Sequence, residues 1–133
     1  MAAESTTELI KKLGIKSGFS VSVFNEPEHY WDWLAPLPEK ISVRTKGKDM
    51  DFIHWFVKEN NVFQKEYHSK KMMLKKDGML WVSWPKKASK VVTDLNENII
   101  RDFALKNGLV DVKVCSVNEV WSGLKLVYRL TDR

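Results

Sequence analysis

The sequence predicts a mixed α/β domain built on a doubly wound, mainly parallel sheet and closed by a C-terminal antiparallel hairpin. Three observations predict it. Short apolar runs alternate with segments of helical spacing along most of the 133 residues, the pattern of successive βα units. One run, Met50–Val57, is predominantly apolar, as a central parallel strand covered on both faces would be. The chain then ends in two alternating runs separated by Asn118-Glu119, which reads as a hairpin.

Taken in order, Ser5-Thr-Thr-Glu8 has the form of a capping box, followed by Leu9, Ile10 and Leu13 at helical spacing and by Gly14 as a helix stop. Residues 19–24 alternate strictly and form the first strand. Pro27 suits the first position of a helix, with Glu26, Glu28 and Asp32 at its positive end and Tyr30, Trp31, Trp33 and Leu34 as its packing surface. Pro36 and Pro38 end it. Ile41–Arg44 is a short strand, residues 45–49 a charged turn, and Met50–Val57 the central strand. Asn60 or Asn61 caps a helix that runs to about Lys75.

Asp77-Gly78 reads as a tight turn into strand Met79–Trp84. Asp94-Leu-Asn-Glu97 is a second capping box, starting a helix that Lys106-Asn107-Gly108 terminates. Residues 110–117 and 120–128 form the hairpin. The expected order is α-β-α-β-β-α-β-α-β-β in one domain spanning residues 1–133. Its N-terminal helix falls in residues 1–14 and its closing hairpin in residues 110–129.

Composition sets the class. Apolar residues make up 44%, with six Trp and six Phe, enough for a core without staples. A single cysteine, Cys115, rules out an internal disulfide and fits a reducing compartment. The polar, acidic first eight residues resemble neither a signal nor a transit peptide. No apolar run approaches the ~20 residues of a membrane span. A cytoplasmic domain without a membrane partner is the expectation.

The net charge of +5 is unevenly placed. Residues 1–64 carry a net −1 and residues 91–133 balance. Residues 65–90 carry eight lysines against Glu66 and Asp77, a net +6. Such a segment attracts nucleic acid, an anionic metabolite or an acidic protein, or forms a solvated face.

The Lys75-Lys76-Asp77-Gly78 turn into an apolar strand resembles the turn before the fifth strand of class I S-adenosylmethionine (SAM)-dependent methyltransferases. Asn107-Gly-Leu-Val-Asp-Val-Lys-Val114 resembles the approach to their sixth strand, and the hairpin their reversed last strand. The resemblance covers about Leu13 to Arg129, with one α/β unit missing between Arg44 and Met50, and implies a Rossmann-like fold. Leu13–Gly18, Asn25–Glu28, Trp81–Lys87, Thr93–Leu95 and Trp121–Lys125 together resemble a narrower family of small bacterial proteins of unknown function. That resemblance implies the fold and no established activity, cofactor or catalytic residue.

The departure from the methyltransferase pattern lies after the first strand. Those enzymes place a glycine-rich loop there, where backbone approaches the cofactor. This chain has Phe24-Asn-Glu-Pro-Glu-His-Tyr30, in which Pro27 removes a donor and two carboxylates occupy the anion-favouring end. The acidic residue that would hold ribose at the end of the second strand is replaced by Arg44-Thr45-Lys46.

Candidate chemistry concentrates after the fourth expected strand, Met79–Trp84. His29, His54 and His68 lack metal-ligand spacing, His54 reads as a core histidine, and Cys115 as a buried inert thiol. An anion-accepting cleft is expected from Trp84, Lys86, Lys87, Ser89, Thr93, Trp121 and Lys125, with Trp121 roofing the Lys86–Lys87 loop. Lysines supply charge there, hydroxyls supply donors, and Trp84 supplies a flat wall.

The expected role is a non-catalytic binding or interaction module for an anionic small molecule or acidic protein. The enzyme alternative is a SAM-dependent transferase with an atypical Asn25–His29 loop. The third reading is weak, non-specific nucleic-acid binding by the basic segment Lys65–Lys90, through Lys65–Lys76 and the Lys86–Lys87 loop.

Overall fold

The computed structural model describes residues 8–133. Among the described residues four α-helices and six strands follow the expected order: α1 (Leu9–Leu13), β1 (Ser20–Phe24), α2 (Tyr30–Leu34), β2 (Ser42–Val43), β3 (Met50–Phe56), α3 (Asn60–Met73), β4 (Leu74–Pro85), α4 (Glu97–Lys106), β5 (Leu109–Ser116) and β6 (Trp121–Tyr128). They build one sheet of order β2-β1-β3-β4-β6-β5. The first four strands are parallel, and β6 runs antiparallel between β4 and β5.

Each face of the sheet buries its own cluster. On one, α1 and α2 lay Ile10, Leu13, Tyr30 and Leu34 against Val21, Val23, Phe52, Phe56 and Trp81. On the other, α3 and α4 lay Phe63, Tyr67, Ile100 and Ala104 against Ile53, Trp55, Leu80 and Val82. Helices of five residues such as α1 and α2 do not hold in water alone. Burying their large side chains, worth about 1.5–3 kcal/mol each, holds them. The Trp81 indole N–H adds a bond to the carbonyl of Leu13 at 2.9 Å.

Several local expectations are corrected. The Ser5 half of the first capping box lies outside the described residues, and Glu8 stands at the N-cap with no side-chain bond. Gly14 does close α1, at φ +86°. Pro27 is not the first residue of α2, because His29 turns left-handed at φ 69° and starts the helix at Tyr30. Neither Asn60 nor Asn61 caps α3; the Asn60 N–H donates to the Asp94 carboxylate at 2.7 Å. Asp94 is thereby taken from its expected capping box, and Asn96 caps α4 instead by accepting from the Ile99 N–H at 2.9 Å.

Asp77-Gly78 is not a turn. Strand β4 begins at Leu74, directly after α3. Its register slips beside β3, with Met50 opposite Leu74 but Phe52 opposite Met79, so Lys75–Asp77 bulge outward and are exposed. Gly78 is required for close approach: a Cβ there would lie 2.7 Å from the Met50 carbonyl oxygen.

The missing α/β unit shows in β2. This strand pairs only with Ser20 and Val21, at the start of β1. Its end therefore lies near the start of β3, and residues 44–49 make the crossing without a helix.

Candidate functional site at the C-terminal edge of the sheet

Strand order reverses between β1 and β3, which places a topological switch point at their C-terminal ends. A pocket of about 500 Å³ opens there, lined by Asn25, Pro27, Phe56, Val57, Lys58, Glu59, Val62 and Trp121. A second pocket, of about 460 Å³, opens under the loop that follows β4. Its floor is Trp84, Pro85, Leu95 and Val91, and its rim includes Lys87, Lys90, Thr93, Asp94 and Asn96.

The structure brings three of the seven expected site residues, Trp84, Lys87 and Thr93, to the second pocket. The other four lie elsewhere. Lys86 reaches away, donating from Nζ to the Ser116 hydroxyl at 2.6 Å. The Ser89 hydroxyl is taken up by its own loop, donating to the Lys86 carbonyl at 2.6 Å and accepting from the Val91 N–H at 3.2 Å. Trp121 does not roof this loop. It packs in the α1/α2 cluster and lines the switch-point pocket, whereas Trp84 packs in the α3/α4 cluster on the opposite face.

Lys125 is opposite Trp81 in register and so shares the α1/α2 face. Burial lowers its pKa, and the neighbouring charges of Lys113 and Lys16 lower it further.

Thr93 is a strut. Its hydroxyl donates to the Lys58 carbonyl at 2.5 Å and accepts from the Leu95 N–H at 3.1 Å. Lys87 and Lys90 are exposed on the rim, and neither makes an ion pair among the described residues. The switch-point pocket was not legible from motifs, although Lys58-Glu59 at the end of the longest parallel apolar run was the available signal.

The remaining lysines of the basic segment are spread over several environments. Lys70 is buried, 3.4 Å from Glu66, with its ammonium over the rings of Phe24 and Trp55. Lys71 and Lys76 stack over Tyr128, and Lys75 lies 3.5 Å from Asp51.

His54 is a core histidine, fully buried, with Nδ1 2.8 Å from the Tyr30 hydroxyl and Nε2 2.8 Å from that of Ser83. Burial lowers its pKa to about 3. His29 is exposed, 3.4 Å from Asp32 and 3.7 Å from Glu28. Cys115 is half-buried, and that burial raises its thiol pKa, against the opposing pull of Lys113, Lys12 and Lys86. Among the described residues no cluster of His, Cys, Asp and Glu could hold a metal, and no helix is long and apolar enough to cross a membrane.

Solved structures share this fold. A Sulfolobus solfataricus protein assigned to the type 11 methyltransferases is 16% identical at a TM-score of 0.65, covering 100% of this chain and 95% of its own. The DhpI–SAH complex is 10% identical at 0.62, covering 97% and 85%. A SAM-dependent methyltransferase from Aquifex aeolicus is 13% identical at 0.59, covering 89% and 86%. No protein-family model matches the chain, and no curated protein matches it in sequence. The fold is that of the SAM-dependent methyltransferases, with a six-stranded, mostly parallel sheet and an antiparallel C-terminal pair.

The residues at the switch point do not fit the cofactor of that fold. The turn after β1 carries Glu26, Pro27 and Glu28 and contains no glycine, so side chains stand where backbone would approach a ligand. The end of β2 lies level with Val21, since the Arg44 N–H donates to the Val21 carbonyl at 2.8 Å and the Ser22 hydroxyl to the Arg44 carbonyl at 2.5 Å. It stops short of the edge where β1 ends, and the residue there is a cation.

Proposed function

We propose that this chain is a non-catalytic binding module of methyltransferase shape, working in a reducing compartment such as the cytoplasm. Its ligand is a small organic anion with a flat or apolar body. The observation that supports this reading most is the pocket beneath the β4–α4 loop. There Lys87 and Lys90, free of ion pairs among the described residues, stand over a floor of Trp84, Pro85 and Leu95. Lysines at a mouth supply charge, and a ring-sized apolar floor supplies area and orientation. The roles of Lys86, Ser89, Trp121 and Lys125 in this site are not retained, because their side chains lie elsewhere.

The test is calorimetric titration with 1-naphthyl phosphate, with 1-naphthol as its uncharged counterpart. The phosphate is expected to bind about tenfold or more tightly than the naphthol, the factor that one charge-assisted bond supplies. Lys87→Ala combined with Lys90→Ala is expected to remove that preference with folding intact. Equal binding of the two compounds, or an unchanged preference in the double variant, overturns the site.

A second reading, a SAM-dependent transferase, is favoured by the methyltransferase fold and by one local feature. Asn25 and His29 hold left-handed backbone at φ 59° and 69°, the conformation glycine favours. Binding of S-adenosylhomocysteine separates it from the first reading.

A further inference from the structure

We propose that the switch-point pocket is a second binding site, distinct from the Trp84–Lys87 pocket, and that it takes a small zwitterion with an apolar side group, such as an apolar or aromatic amino acid. Its interior wall is apolar: Phe56, Val57, Val62 and Trp121, with the rings of Phe56 and Trp121 edge to face at a centroid distance of 5.0 Å. Pro27 makes one side rigid. The polar lining is Asn25, Lys58 and Glu59.

Charge decides the ligand class. Lys58 and Glu59 are exposed, and neither makes an ion pair among the described residues. One cation and one anion on the lining of an apolar pocket complement a ligand that carries both charges at one end and an apolar group at the other. A plain anion meets Glu59, and a plain cation meets Lys58. Asn25 is held at the rim by donating from Nδ2 to the Phe56 carbonyl at 3.3 Å, which leaves its amide oxygen as an acceptor.

Both ends are anchored independently of a ligand. The carbonyl of Lys58 is fixed by Thr93, so its side chain projects from a braced backbone. Glu59 stands at the N-cap of α3 but makes no side-chain cap bond, which leaves its carboxylate available.

The test uses L-phenylalanine, with 3-phenylpropionate lacking the ammonium and phenethylamine lacking the carboxylate, each titrated by calorimetry to about 10 mM, the range of weak small-ligand sites. Phenylalanine is expected to bind at least tenfold more tightly than either analogue. Glu59→Gln is expected to weaken phenylalanine and phenethylamine while sparing 3-phenylpropionate, and Lys58→Gln to weaken phenylalanine and 3-phenylpropionate while sparing phenethylamine. Circular dichroism confirms that each variant is folded, and unchanged 1-naphthyl phosphate binding separates this site from the other. Absence of phenylalanine binding, equal binding of all three compounds, or indifference to both substitutions overturns the proposal.

Discussion

The Thr93 hydroxyl donates to the carbonyl of Lys58 across 2.5 Å. Lys58 lines the switch-point pocket and Thr93 the pocket under the β4–α4 loop, so one bond braces a wall that both share. The Asp94 N–H reinforces it from the same loop, reaching the same carbonyl at 3.4 Å.

Thr93→Val keeps the shape and removes the donor. A net hydrogen bond is worth about 1 kcal/mol, or roughly 3–5 °C in melting temperature for a domain of this size. The variant is expected to melt lower by that amount and to bind 1-naphthyl phosphate more weakly, while Thr93→Ser retains both properties. Thermal melts and titrations of the two variants check this.

His54 makes stability fall in acid. Its folded pKa of about 3 lies below the ordinary value of 6.5, so the unfolded chain binds the proton more readily than the fold does. This contribution is full above pH 6.5 and is lost as pH falls from there toward 3. Two pH units below 6.5 the loss amounts to about 2.7 kcal/mol. Urea unfolding at pH 7 and pH 4.5 is expected to show that loss in the wild type, and a smaller one in His54→Gln, which has no imidazole to protonate.

Gly78→Ala sets a Cβ against backbone that has no flexible end to yield, 2.7 Å from the Met50 carbonyl oxygen and 3.1 Å from that of Asp51. A destabilisation of about 1–3 kcal/mol is expected, as for other overpacked sites. Urea denaturation measures it, and wild-type stability would show that β4 can move away from β3.

Lys86 and Lys87 are adjacent and separable. Lys86→Ala removes an ammonium already engaged by Ser116 and is expected to leave 1-naphthyl phosphate affinity unchanged. Lys87→Ala is expected to lower it. Parallel titrations of the two single variants distinguish them.

Strand and helix positions were legible because burial enforces periodicity: β3 and the β5–β6 hairpin lie within a residue or two of their sequence-derived limits. What misled were residues whose role is set by a distant partner. Asp94 reads as a cap for its own helix, yet it accepts from Asn60 of another. Gly78 reads as a turn, yet what fixes it is a neighbouring strand.

The site was half legible for the same reason. Placing lysines at a strand exit found Lys87, but whether Lys86 and Trp121 face the same pocket depends on side-chain direction and on which face of the sheet each strand presents. The switch-point pocket gathers Asn25, Glu59 and Trp121 from three distant segments, and no local spacing marks them.

The proposed binding module is a methyltransferase-shaped domain that does without the methyltransferase cofactor. A thermal melt with and without saturating S-adenosylhomocysteine tests it most directly. A ligand at ~100 times its dissociation constant adds about 2.7 kcal/mol, roughly 8–12 °C here. An unchanged melting temperature is the expected result. A rise on that scale would contradict the claim and make Asn25–His29 a cofactor loop.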